Sequence, residues 1–230
     1  MTIYSIYKKC LKRIGGISNP DVHWYLNERP KIITRKSFIE AVIFAVWASG
    51  MSRVSASSFL ERADDNGFSW NYEDISSSSK KEWSSFLVSM HGKSVPPKAR
   101  EKWNAIQSIA ELVSTFDSEK DFRKLMFQGK YKSIKLDKTD VMALRKMKLP
   151  YIGPANCQFV IRNMGGEAIK CDRWVKAFME YHDLTHSYLI SYLKKKKLPE
   201  GLFDLVIWAY CEMFVKEVKN FNEHFSENFA

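Results

Sequence analysis

The run RKSFIEAVIFAVWA at 35–48 limits what this chain can become. Its apolar residues fall on most faces of a helix, so a helix formed there needs neighbours on nearly every side. That predicts a buried central helix with other helices packed around it, and the remaining sequence is punctuated in keeping. A first amphipathic helix is expected over 2–14, ended by Gly15-Gly16. Pro20 and Pro30 mark a loop. Val54–Arg62 reads as a helix and ADDNGFSWNYED as a turn-rich loop. The serines before KKEWSSFLVSM supply N-caps for a short helix. VPPKAREKWNAIQSIAELVSTF is a strong helix opened by proline. Further helices are expected over 119–127, 139–147, 173–182 and 186–196, and EGLFDLVIWAYCEMFVKEV closes the fold. Strict alternation of apolar and polar residues is scarce, so the expected class is all-α.

A chain of 230 residues makes one large helical domain or two small subdomains around a shared cleft. With 45% hydrophobic residues it can bury a core, which excludes a disordered tail. A net charge of +10 favours an anionic partner, either nucleic acid or an anionic membrane surface. It would also suit an enzyme kept soluble by its charge. Phe38–Ala48, the most apolar stretch, contains Glu40 and is too short to span a bilayer. The N-terminal residues lack the apolar run and cleavage site of a signal peptide. Cys10, Cys157, Cys171 and Cys211 form no C-x-x-C pair and fit no zinc or iron–sulfur spacing. Cys157 and Cys211 lie in apolar helical runs, as buried reduced thiols do, which suits a cytoplasmic protein. The lysines at 194–197 read as a solvated helix end or a phosphate contact.

The segment LPYIGPANCQFVIRNMGGEAIKCDRW at 149–174 carries the functional signal. Pro150 and Gly153 bracket a tight turn, Pro154 opens a helix, and Gly165-Gly166 closes it. A lone acid, Asp172, follows between Lys170 and Arg173. A glycine before a helix leaves backbone exposed, and free N–H groups of the first turn can hold a phosphate. Residues 119–148 carry ten Lys/Arg against four Asp/Glu, which adds attraction to a nucleic-acid backbone. An ordinary αα-hairpin connection would share the pattern.

This segment resembles the signature of the helix-hairpin-helix DNA glycosylases, the HhH-GPD superfamily. Their pattern is a hairpin of the form L-P-G-V-G, a helix, a loop with Gly or Pro, then V-D before another helix. Leu149, Pro150, Ile152 and Gly153 match the hairpin, Gly165-Gly166 falls in the loop, and Asp172 lands on the catalytic aspartate. The specific match covers about forty residues. SFIEAVIFAVWASGMSRVSASSFLERA and PPKAREKWNAIQSIAEL resemble helices of the family's six-helix subdomain. Two departures matter most. Tyr151 replaces the first hairpin glycine. Ala155 stands where bifunctional members carry a Schiff-base lysine, which argues against β-elimination. Lys170 is a weaker alternative amine. The cluster of four cysteines found after the acid in some members is absent, and ASGMSR stands where a Gln-rich turn often fills the duplex gap.

The resemblance implies that Asp172 is catalytic. Cleaving an N-glycosidic bond leaves positive charge on the deoxyribose, which a fixed carboxylate stabilises while orienting or deprotonating a water. The target base must first leave the stack. Asp directly before RWVKAF is also a good helix N-cap, and the two roles are compatible. DNA contacts are expected at Lys148, Leu149, Tyr151, Ile152, Gly153, Ala155 and Arg173. Met51 and Arg53 stand where the family places a residue that wedges into the duplex. Trp24, Tyr25, Trp47 and Trp174 are candidates to line a base pocket, as is Tyr151, although a Trp on an apolar helix is usually core. His182 and His186 have the spacing of a metal pair, but no third ligand stands at a matching offset.

The expected architecture is two helical subdomains with an interdomain active-site cleft. Residues 31–155 would form a six-helix bundle ending in the hairpin. Residues 1–30 and 156–230 would form the second subdomain, carrying Asp172. The implied function is a monofunctional DNA glycosylase that acts as a monomer on double-stranded DNA, with no cofactor or metal and away from membranes. The substrate would be an alkylated purine or a bulky modified base. A phage-defence enzyme excising a hypermodified pyrimidine is one alternative, and a non-catalytic helix-hairpin-helix DNA-binding module is another.

Overall fold

The structure, a computed structural model, describes residues 1–30, 33–50, 53–93, 95–127 and 144–229. Helices make up all of the regular structure among these residues, and no strand occurs among them. The chain divides into two compact units, one of Pro30–Gly165 and one of Met1–Arg29 with Gly166–Ala230. The second division thus falls at 165/166, beyond the expected 155/156. Pro154–Asn163 belongs to the 30–165 unit, where Phe159 stacks on Phe44 with ring centroids 5.4 Å apart.

The 30–165 unit is built around the helix Arg35–Ala48. Label the helices of the chain in order: α1 Ile3–Arg13, α2 Pro20–His23, α3 Arg35–Ala48, α4 Arg53–Asp65, α5 Tyr72–Ser77, α6 Lys80–His91, α7 Pro97–Ser114, α8 Glu119–Phe127, α9 Pro154–Asn163, α10 Arg173–Tyr181, α11 His186–Lys195, α12 Glu200–Tyr210 and α13 Phe221–Phe229. A reciprocal Thr34–Ser37 cap starts α3. Phe38, Ile39, Val42, Ile43, Val46 and Trp47 are all buried along it, as a helix apolar on most faces requires. Phe38 packs on Phe122, and Trp47 on Phe59 at 4.5 Å. Truncating a buried phenylalanine such as Phe38 to alanine costs about 3–5 kcal/mol. Proline starts α7, which packs on α3 and α5 with Ala99, Ile106, Ala110 and Val113 buried, while Trp103 meets Phe68 and, on α6, Trp83 and Phe86. Ser79 and Glu82 cap α6 reciprocally.

The other unit centres on α12, where Leu202, Phe203, Leu205, Val206, Ile207, Ala209 and Tyr210 are buried. On α1, Ile3, Ile6, Tyr7 and Cys10 form one apolar stripe that packs on it. Phe203 meets Tyr7 and Phe178, and α13 adds Phe221, Phe225 and Phe229. Glu167 ties the ends of this unit together. It accepts from the Tyr25 hydroxyl, the Arg29 guanidinium and the Gly201 N–H. Cys10, Cys157 and Cys211 are buried free thiols, and desolvation pushes all three up in pKa, Cys157 to about 11.

Several local expectations are corrected. The segment 63–74 is not all loop: α4 continues to Asp65, and Asn71 caps α5. The region between Pro20 and Pro30 is helical, with α2 running into a wider turn over Trp24–Glu28. The closing helix stops earlier than expected. After Tyr210 it widens over Cys211–Val215, Lys216 turns with φ of 64°, and α13 follows. Of the helix expected at 139–147, residues 144–147 lie within the described residues, and 144–146 of these are helical.

Candidate functional site

Asp172 stands at the N-cap of α10. Its Oδ1 accepts from the N–H groups of Trp174 (2.9 Å) and Val175 (3.2 Å). This satisfies two donors that the first helical turn leaves over. Oδ2 makes no hydrogen bond among the described residues. It faces the Lys170 ammonium at 4.0 Å, and the side chain keeps 14% of its surface exposed. A carboxylate anchored through one oxygen and open at the other is a fixed negative charge on a rigid element.

Glu212 organises the residues next to it. Its Oε1 accepts from Arg173 at 2.8 Å and from the indole N–H of Trp174 at 2.5 Å, and the Arg173 guanidinium lies over the Trp174 ring. The negative charges of Glu212 and Asp172, behind the larger effect of burial and that of Cys10, help hold the Cys211 thiol protonated. Glu212 was not singled out by the sequence. It lies 38 residues from Trp174, and no local spacing links them.

The 149–153 turn belongs to the other unit. Leu149 and Ile152 are buried anchors, and the Ile152 N–H donates to the Leu149 carbonyl at 3.1 Å. Between them Tyr151 has φ of 61°, and Lys148, just before Leu149, has φ of 50°. Tyr151 thus takes the left-handed conformation that glycine adopts without strain, at the position where the family pattern has glycine. Its carbonyl accepts from Asn156, and its hydroxyl donates to Glu101 at 2.8 Å, which raises the phenol's pKa. Gly153 precedes Pro154 at the start of α9, and a Cβ placed on it would meet nothing within 4 Å. The turn therefore leaves open approach at Gly153. The first-turn N–H groups of Ala155 and Asn156 have no acceptor within the helix.

The aromatic candidates divide between the two units. Trp47 is 2% exposed and lies in the core of the 30–165 unit. Tyr25 and Trp174 fill the core of the other unit, and only Trp24 is partly exposed there. Their apolar rings on buried helix faces explain this placement: all three of the buried rings are core side chains. Met51 lies outside the described residues, and Arg53 begins α4.

His182 and His186 lie near each other in sequence, but no group of three metal-ligating side chains occurs among the described residues. His182 packs on Phe178, Tyr181 and Phe225, and desolvation lowers the pKa of both imidazoles. Lys194–Lys197 are exposed at the end of α11, with Lys194 3.8 Å from Glu200. No helix among the described residues is long and apolar enough to cross a membrane.

Compared with protein-family models, curated proteins and solved structures, the chain matches none.

Proposed function

We propose that this chain is a monofunctional DNA glycosylase that hydrolyses the N-glycosidic bond of a damaged or modified base. The observation that carries the reading is the state of Asp172. One oxygen is committed to the cap of α10, and the other makes no hydrogen bond among the described residues. A carboxylate so held can stabilise an oxocarbenium-like sugar without reorganising, and it can accept a proton from an attacking water. The 149–153 turn would hold backbone phosphate at the start of α9, helped by Lys148 and the +10 charge. The resemblance of 149–174 to the helix-hairpin-helix glycosylases supports the same assignment. Ala155 offers no amine, so no imine forms and the strand stays intact.

The test is a nicking assay on DNA carrying alkylated, oxidised, deaminated or hypermodified bases. Breaks that appear only after hot alkali report abasic sites left by hydrolysis. A borohydride-trapped adduct would overturn the monofunctional chemistry and point to Lys170. No abasic sites on any substrate, with DNA binding retained, would leave a binding module in place of an enzyme.

A further inference from the structure

The 30–165 unit contains a cleft of about 590 Å³ lined by Lys80, Trp83 and Ser84 of α6 and by Arg100, Asn104 and Gln107 of α7. It lies within the size range of small-molecule sites. Its chemistry is specific. Trp83 rests on the buried Trp103, with ring centroids 6.1 Å apart and planes 24° from parallel, so the indole is backed by a second ring. Lys80 and Arg100 are exposed cations, and neither side chain has an ion-pair or hydrogen-bond partner among the described residues. The Asn104 amide is likewise uncommitted. Gln107 gives its N–H to the Ser78 carbonyl, which leaves its oxygen to accept. Among the described residues no carboxylate lines the cleft, which disfavours a metal ion. A bare phosphate would use the two cations and leave the indole and the amides idle.

We propose that this cleft binds an unpaired nucleotide, its base stacked on Trp83 and edge-bonded by Asn104 and Gln107, its phosphate held between Lys80 and Arg100. A base inside a duplex has both faces covered, so only an unstacked one can offer a face to Trp83. The cleft thus adds a single-strand contact to a basic protein. It rests on α6 and α7 alone and is independent of Asp172, so this proposal and the glycosylase reading fail separately.

The experiment uses the full chain with fluorescein-labelled oligothymidylate, and with thymidine monophosphate as competitor. An oligothymidylate carrying one 5-iododeoxyuridine is also irradiated with the protein, and the adduct is mapped by peptide mass spectrometry. Cross-linking at Trp83 is expected, with affinity for the oligomer falling about tenfold in Trp83→Leu. Lys80→Glu with Arg100→Glu, two exposed positions that leave the core intact, is expected to weaken binding at least as much and to flatten its salt dependence. Competition by the monophosphate at concentrations similar to the oligomer would identify a free nucleotide as the occupant of the same cleft. Adducts confined to residues outside 80–107, with unchanged affinity in the charge-reversed variant, would overturn the proposal.

Discussion

The ammonium of Lys102 and the carbonyl oxygen of Ser49 lie 2.7 Å apart, and the same ammonium donates to the Trp47 carbonyl at 2.8 Å. A buried lysine thereby closes the C-terminal end of α3, where unpaired carbonyls and the helix dipole both favour a cation. Desolvation, with Lys98 adding to it, holds the Lys102 pKa below the usual lysine value. Lys102→Met leaves two carbonyls at the helix end without their donor. The expected loss is about 2 kcal/mol, read from urea unfolding. An unchanged midpoint would show that water replaces the lysine at no cost.

Tyr151 tests the 149–153 turn. With φ of 61° its backbone is strained for any residue with a Cβ, most of all for a β-branched one. Tyr151→Gly is expected to keep the fold with stability within about 1 kcal/mol of the parent, because relief of strain offsets greater freedom of the unfolded chain. Tyr151→Val is expected to lose about 1–2 kcal/mol. Equal thermal midpoints for the two variants would contradict the left-handed assignment.

How much of this was legible in the sequence follows from what each residue needs. The pattern of α3 requires burial on most faces, and that is where it lies. Asp172 was legible because a cap is a local interaction within three residues. Lys102 was not, because its partners are 53 and 55 residues away and a lysine on an apolar stripe normally reaches for solvent. Tyr72–Ser77 was hidden by its Asp and Ser content, which favours turns until Asn71 caps a helix and Tyr72 and Ile75 find a core. Phe221, Phe225 and Phe229 carry a four-residue helical spacing in the sequence, beyond the expected end of the fold at 218. The aromatic candidates show the opposite limit. Sequence can nominate Tyr25, Trp47 and Trp174, but only packing shows that they are core.

Acid should loosen the unit that contains α10 to α13. Desolvation lowers the folded-state pKa of His182, His186 and His224 below the ordinary histidine value of about 6.5. The unfolded chain therefore takes up protons first as pH falls. The stability these neutral rings provide is fully present above about pH 6.5 and is lost as pH drops through their folded values. The urea midpoint is expected to fall between pH 7.5 and pH 5.5, and to fall less in His182→Phe, which keeps a ring against Phe178 and Phe225. An equal fall in the variant would remove His182 from the account.

The two roles of Asp172 can be separated because asparagine caps a helix about as well as aspartate, whereas alanine does not. Asp172→Ala is expected to lose about 1 kcal/mol of stability, and Asp172→Asn only a few tenths. If the carboxylate acts in chemistry, the asparagine variant stays folded yet inactive, and its affinity for DNA holds or rises as a negative charge near phosphate is removed.

The most direct measurement is therefore the mass-spectrometric detection of free base, with wild type and Asp172→Asn run side by side on DNA carrying alkylated, oxidised, deaminated and hypermodified bases. A released base is expected with wild type and none with Asp172→Asn, at comparable DNA affinity. Base release by both proteins at similar rates would contradict this, because the charge at Asp172 would then do no more than cap α10.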